Sequence, residues 1–155
     1  MTELRYEDLV DKNIIPEECL IFNCVCDNLN ELPKLPSKLV RLECKGNNLT
    51  WLPELPSSLV LLFCTSNNII ELPKLPKKLK VLYISDNNLS ELPELPYELN
   101  NIDCSNNPIK FITPENYEIM KRIYLKCCDY VWIENTIFYD NSGCYDHKEF
   151  FKIEK

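Results

Sequence analysis

The sequence predicts a repeat solenoid. A parallel β-sheet forms its concave face, an extended polyproline II path returns along the convex face, and an α+β cap closes the C-terminus. Three observations predict this. The chain repeats every twenty residues between Cys19 and Ile112. Apolar residues alternate early in each copy at the period of a strand. Two prolines three residues apart end each copy and oppose a helix. Segments beginning at Cys19, Leu39, Leu59, Leu79 and Leu99 share the template L-x-x-L-x-(C/I)-x-x-N-x-(L/I)-x-x-L-P-x-L-P-x-x, with four copies complete and the fifth ending at Ile112.

The strand comes first in each copy. In the second, Leu42 and Cys44 point inward while Arg41, Glu43 and Lys45 point out. A single such strand cannot bury its apolar face, whereas stacked copies form one sheet over one core. Cys24, Cys44, Cys64 and Cys104 share a template position with Ile84. A place open to both Cys and Ile is apolar, and a free thiol behaves there as a small hydrophobe. The sequence therefore predicts a reduced, buried cysteine ladder, which favours an intracellular compartment.

A turn follows. Asn47, Asn67, Asn87 and Asn107 form a column, with Asp27 in the first copy. Backbone groups folded under a sheet need partners, and an Asn amide both donates and accepts. An ionised Asp only accepts, so the first copy is expected to be frayed or differently capped. The return path L-P-x-L-P runs over Leu32–Pro36, Leu52–Pro56, Leu72–Pro76 and Leu92–Pro96. Its proline spacing favours polyproline II with the leucines turned inward.

L-x-x-L-x-L-x-x-N-x-L is the leucine-rich repeat signature. The short form ending in L-P-x-L-P resembles the repeats of type III secreted effectors from pathogenic bacteria. It is also similar to leucine-rich repeat proteins predicted in giant, mimivirus-type DNA viruses, whose AT-rich genomes the abundance of Asn, Ile, Lys and Tyr resembles. The resemblance covers residues 19–112. It implies a protein-binding solenoid, acting in a host cytoplasm if the chain is viral or an effector.

Both ends of a solenoid must be capped. The chain is read as an N-terminal cap, 1–18, five repeats, 19–112, the last partial, and a C-terminal cap, 113–155. The effectors usually carry a helical hairpin at the N-terminus. Here eighteen residues leave room for at most one short helix, around Tyr6 to Asp11. At the other end, Thr113 is placed to N-cap a helix entered through Pro114, with Tyr117, Met120, Ile123 and Tyr124 at helical spacing. Tyr130–Ile133 and Thr136–Tyr139 read as strands, and Asp140–Gly143 as a turn.

Composition narrows the function. The formal net charge is −7, and no clustered basic stretch supports phosphate-backbone binding, so no nucleic acid is expected. No apolar run reaches the length of a membrane span, so no membrane partner is expected. The charged N-terminus does not read as a secretory signal.

Three local features could carry chemistry. Cys127, Cys128, Cys144 and His147 include zinc-type ligands, but adjacent cysteines rarely serve one ion together, so no metal is assigned. Some related effectors carry a ubiquitin ligase domain with a Cys-x-Asp nucleophile, and Cys127 and Asp129 fit that spacing. That domain is far larger than the 43 residues remaining here. A Cys–His catalytic pair could use only His147, in a polar segment. The chain is read as no enzyme, without cofactor.

The outward strand positions are those the template leaves free. Ile21, Arg41, Leu61, Val81 and Asn101 form one column, and Asn23, Glu43, Phe63, Tyr83 and Asp103 the next. Leu61, Phe63, Val81 and Tyr83 make an apolar-aromatic centre, with Arg41, Glu43 and Lys45 on one side and Asn101 and Asp103 on the other. An apolar centre within a polar rim is the anatomy of a protein interface. The predicted site residues are Leu61, Phe63, Val81, Tyr83, Arg41, Glu43 and Asp103. The partner is a protein, either a host protein or a second copy in a homodimer.

Overall fold

The computed structural model of the protein describes residues 3–126, 137–140 and 143–145. Six parallel strands stack in chain order: β1 (Glu3–Arg5), β2 (Ile21–Asn23), β3 (Arg41–Glu43), β4 (Leu61–Phe63), β5 (Val81–Tyr83) and β6 (Asn101–Asp103). From β2 to β6 each strand pairs with the next at a shift of twenty residues, so Phe22, Leu42, Leu62, Leu82 and Ile102 lie side by side. These inward residues are buried, as are Cys24, Cys44, Cys64, Ile84 and Cys104 beyond them. Each fully buried Leu contributes roughly 1.5–3 kcal/mol through the apolar area removed from water. Cys19, Cys24, Cys44, Cys64 and Cys104 are free and buried, while Cys26 is free and exposed.

The asparagine column closes the turns as one ladder. Asn67 Nδ2 donates to the carbonyls of Cys44, Cys64 and Thr65, and its Oδ1 accepts from the amide of Leu49. Asn47, Asn87 and Asn107 repeat the pattern one coil away. Each side chain thus satisfies its own turn and the one before it. The first turn is correspondingly not frayed, because Asn47 Oδ1 accepts from the amides of both Asp27 and Leu29. Among the described residues Asp27 makes no matching side-chain reach into the N-terminal segment, in keeping with a carboxylate that cannot donate.

The return paths contain no helix, and Leu32, Leu35, Leu52, Leu55, Leu75, Leu92 and Leu95 turn into the core. Pro36, Pro56, Pro76 and Pro96 each accept, at the carbonyl, the amide of the leucine that opens the following coil.

The N-terminus holds more than the short helix expected around Tyr6 to Asp11. It is a strand, β1, followed by a single 3-10 turn at Tyr6–Asp8, and it forms one more, divergent coil. Leu4 lies beside Phe22 in the sheet. Leu9 and Ile15 enter the core, Ile14 bridges to Lys34, and the Pro16 carbonyl accepts the Cys19 amide as the later prolines do. The physical reason is that the first repeat needs a covered sheet edge, and a strand covers it more fully than a helix of this length. The amide of Arg5 in turn donates to Asp8 Oδ2.

At the other end β7 (Phe111–Ile112) leads into α1 (Pro114–Lys126), with Thr113 Oγ1 accepting the Asn116 amide as expected of an N-cap. Met120 and Ile123 are buried against the repeats. Asn116, itself buried, accepts the Leu95 amide and donates to the Pro93 carbonyl. Arg122 donates to the carbonyls of Tyr97 and Leu99, so α1 serves the backbone that a further coil would have served. β8 (Ile137–Asp140) pairs parallel with β7 and antiparallel with β9 (Gly143–Tyr145), with Asp140 opposite Gly143. The strand expected at Tyr130–Ile133 lies outside the described residues.

Candidate functional site

The sheet brings the predicted residues into one field. Register sets Arg41, Leu61, Val81 and Asn101 in a row, and Glu43, Phe63, Tyr83 and Asp103 in the next. Leu61, Phe63, Val81 and Tyr83 are all half-buried, the exposure of outward residues on a curved sheet. Phe63 and Tyr83 meet edge to face, with centroids 5.3 Å apart at 87°, an arrangement favoured by the ring quadrupoles.

Charge gathers on one side of that pair. The Arg41 guanidinium lies 5.1 Å and the Lys45 ammonium 5.0 Å from the Phe63 centroid. Arg41 also pairs with Glu43, its Nε donating to Oε1 at 2.6 Å. Glu43 is largely covered, its side chain 17% exposed against 40% for Arg41. Lys45 packs on the ring and, among the described residues, forms no ion pair, so it presents a cation beside an aromatic surface. On the far side Asp103 accepts from the amide and hydroxyl of Ser105. That side is acidic and locally fixed.

Sequence reasoning found the membership of this cluster and missed its internal order. The stacking of two cations on Phe63 follows from their positions two residues either side of Glu43, which faces Phe63. Reading the columns diagonally as well as lengthwise would have found it. Trp51 and Ile70 are also exposed, at 46% and 60%, off the concave face, and the template gave no reason to single them out. Of the residues weighed for chemistry, Cys127, Cys128, Asp129 and His147 lie outside the described residues, and Cys144 falls in β9. No helix among the described residues is long and apolar enough to cross a membrane.

No family model matches the chain, and no curated protein matches it. Solved structures do. YopM, a leucine-rich effector protein from Yersinia pestis, is similar with a TM-score of 0.59 and 31% identity, over 63% of this chain and 32% of that one. A Shigella effector leucine-rich repeat domain gives a TM-score of 0.65 and 34% identity, over 72% of this chain and 50% of that one. YopM from Yersinia enterocolitica gives 0.51 and 38%, over 64% and 27%. The chain therefore spans half or less of the length of each of these three proteins. With its twenty-residue period, its six stacked strands and these likenesses, the chain is a leucine-rich repeat solenoid whose short coils are similar to those of bacterial effectors.

Proposed function

We propose that the protein is a non-enzymatic interaction module that holds a protein partner on its concave sheet. The observation that carries this reading is the ordered centre of that sheet, where half-buried Phe63 and Tyr83 stand with Leu61 and Val81 at positions the template leaves free. Aromatic anchors at the centre of a face, ringed by charge, are where binding energy concentrates. Arg41 and Lys45 favour an acidic group on the partner beside Phe63, and Asp103 a basic or donor group at the other end. The likeness to bacterial effectors favours a partner from a host cell, and in this reading the chain is a pathogen or viral protein that engages it there.

Affinity capture from a host lysate tests this, using the wild-type chain beside a Phe63→Ala/Tyr83→Ala variant and a Trp51→Ala control. The double variant should lose the captured protein, and the control should keep it. The double variant should still unfold cooperatively, at a cost of about 1–2 kcal/mol for the lost ring pair and cation contacts. A variant that no longer folds would assign the rings to the core, and unchanged capture would move the binding surface elsewhere.

A further inference from the structure

The return-path face carries a second ordered pattern. The position between the two prolines of each coil holds Lys34, Glu54, Lys74 and Glu94, all exposed. They succeed one another coil by coil, so the column spans three repeat steps, roughly 15 Å at the strand spacing. The signs alternate along it. Even so, none of these charges is paired among the described residues, where the ion pairs are Arg5–Glu7 and Arg41–Glu43. Pro53, Pro73, Leu55 and Leu75 line a shallow groove beside the column. The prolines there have little conformational freedom to lose on contact.

A column reading plus, minus, plus, minus is its own complement when reversed. Consider a second copy turned about a two-fold axis that lies in this face and crosses the stack. Lys34 then meets the second copy's Glu94, and Glu54 meets its Lys74. In the neighbouring column, Lys38, Ser58, Lys78 and Glu98, the signs do not alternate, but Lys38 likewise meets the second copy's Glu98 while Ser58 meets its Lys78. Slipping the contact by one coil sets Lys34 against Lys74 and Glu54 against Glu54. Alternation therefore selects one register and penalises the next.

We propose that the return-path face is a self-association surface, and that its occupant is a second copy of this chain related by a two-fold axis that reverses the stack. The contact leaves both concave sheets open, so a dimer presents two binding faces. It is independent of the partner-binding reading. Exposed ion pairs are individually weak and screened by salt, so the association is weak and salt-sensitive.

Sedimentation equilibrium of the full chain, from micromolar to millimolar concentration at low and high salt, tests it. The wild type should dimerise at low salt and dissociate at high salt. Lys34→Glu reverses two symmetry-related pairs and should weaken association about tenfold or more. Adding Glu94→Lys re-establishes opposite signs across the axis and should restore the dimer. Phe63→Ala/Tyr83→Ala should leave it unchanged. Three results would overturn the proposal. They are a wild type monomeric throughout, a dimer indifferent to Lys34→Glu, and a dimer lost with Phe63 and Tyr83. In the first case the alternation only spares neighbouring coils from like-charge repulsion. In the last the contact lies on the concave sheet.

Discussion

Asn67 binds two coils through one amide, donating to Cys44, Cys64 and Thr65 and accepting from Leu49 in a buried setting. Asn67→Ala strands the Leu49 amide and the Cys44 carbonyl away from water, which should cost about 3 kcal/mol in urea unfolding. Asn67→Asp keeps the acceptor and loses the donor, so it should be destabilising too. A loss below about 1 kcal/mol for the alanine variant would mean that water replaces the ladder. This role was legible because one residue type recurred at one place. The residue just before it was not. Cys26, Gly46, Ser66, Asp86 and Asn106 all take a left-handed backbone with φ of 53° to 65°. Gly, Asn and Asp suit that conformation, whereas Cys and Ser do so at a cost. The mixture hid a strict backbone demand behind a variable column. Gly46 has a second constraint, since a Cβ there would stand 2.8 Å from Cys26 Sγ.

The elements at each end show how a solenoid is finished. Arg122 on α1 donates to the Tyr97 and Leu99 carbonyls, much as Ser58 Oγ does to Ser37 and Leu39 one coil onward in the interior. Its guanidinium also lies 4.5 Å from the Tyr97 ring centroid. Arg122→Ala should cost about 2 kcal/mol, from lost charge-assisted hydrogen bonds. Hydrogen exchange should quicken in α1 while the amides joining β3, β4 and β5 stay protected. Uniform acceleration would instead show that the cap and coils unfold as one unit. The helix was legible from Thr113, Pro114 and the apolar spacing. The N-terminal coil was also written in the sequence, since Ile14-Ile15-Pro16 stands twenty residues before Lys34-Leu35-Pro36. It was obscured because its strand pairs at a shift of eighteen, Glu3 against Ile21, so the template no longer aligns along the whole coil.

Across the whole molecule the stacked thiols tie stability to alkaline pH. Burial raises Cys24, Cys19 and Cys104, the last to about 12, while Cys44 is raised by its hydrogen bond with Cys64 and by burial. A folded value above the unfolded one, near 9.0, means that ionisation favours the unfolded chain. The stabilisation is whole below about pH 9 and is lost as pH rises toward the folded values, at up to about 1.4 kcal/mol per pH unit for each such thiol. Urea unfolding at about pH 8 and about pH 10 should show that decline, and Cys104→Ile, which copies the fourth coil's Ile84, should make it shallower by one thiol's share. An equal slope in both proteins would place the effect on other groups. By itself, the sequence determined the coil: its length, its inward residues, its turn asparagines and its helix-free return, because each follows from local periodicity repeated without interruption. The tertiary structure alone decided how coils address one another. It set two cations against Phe63, put Arg122 and Asn116 in place of a missing coil, and added β1 to the sheet, because these depend on distances between residues far apart in the chain, which no local pattern contains.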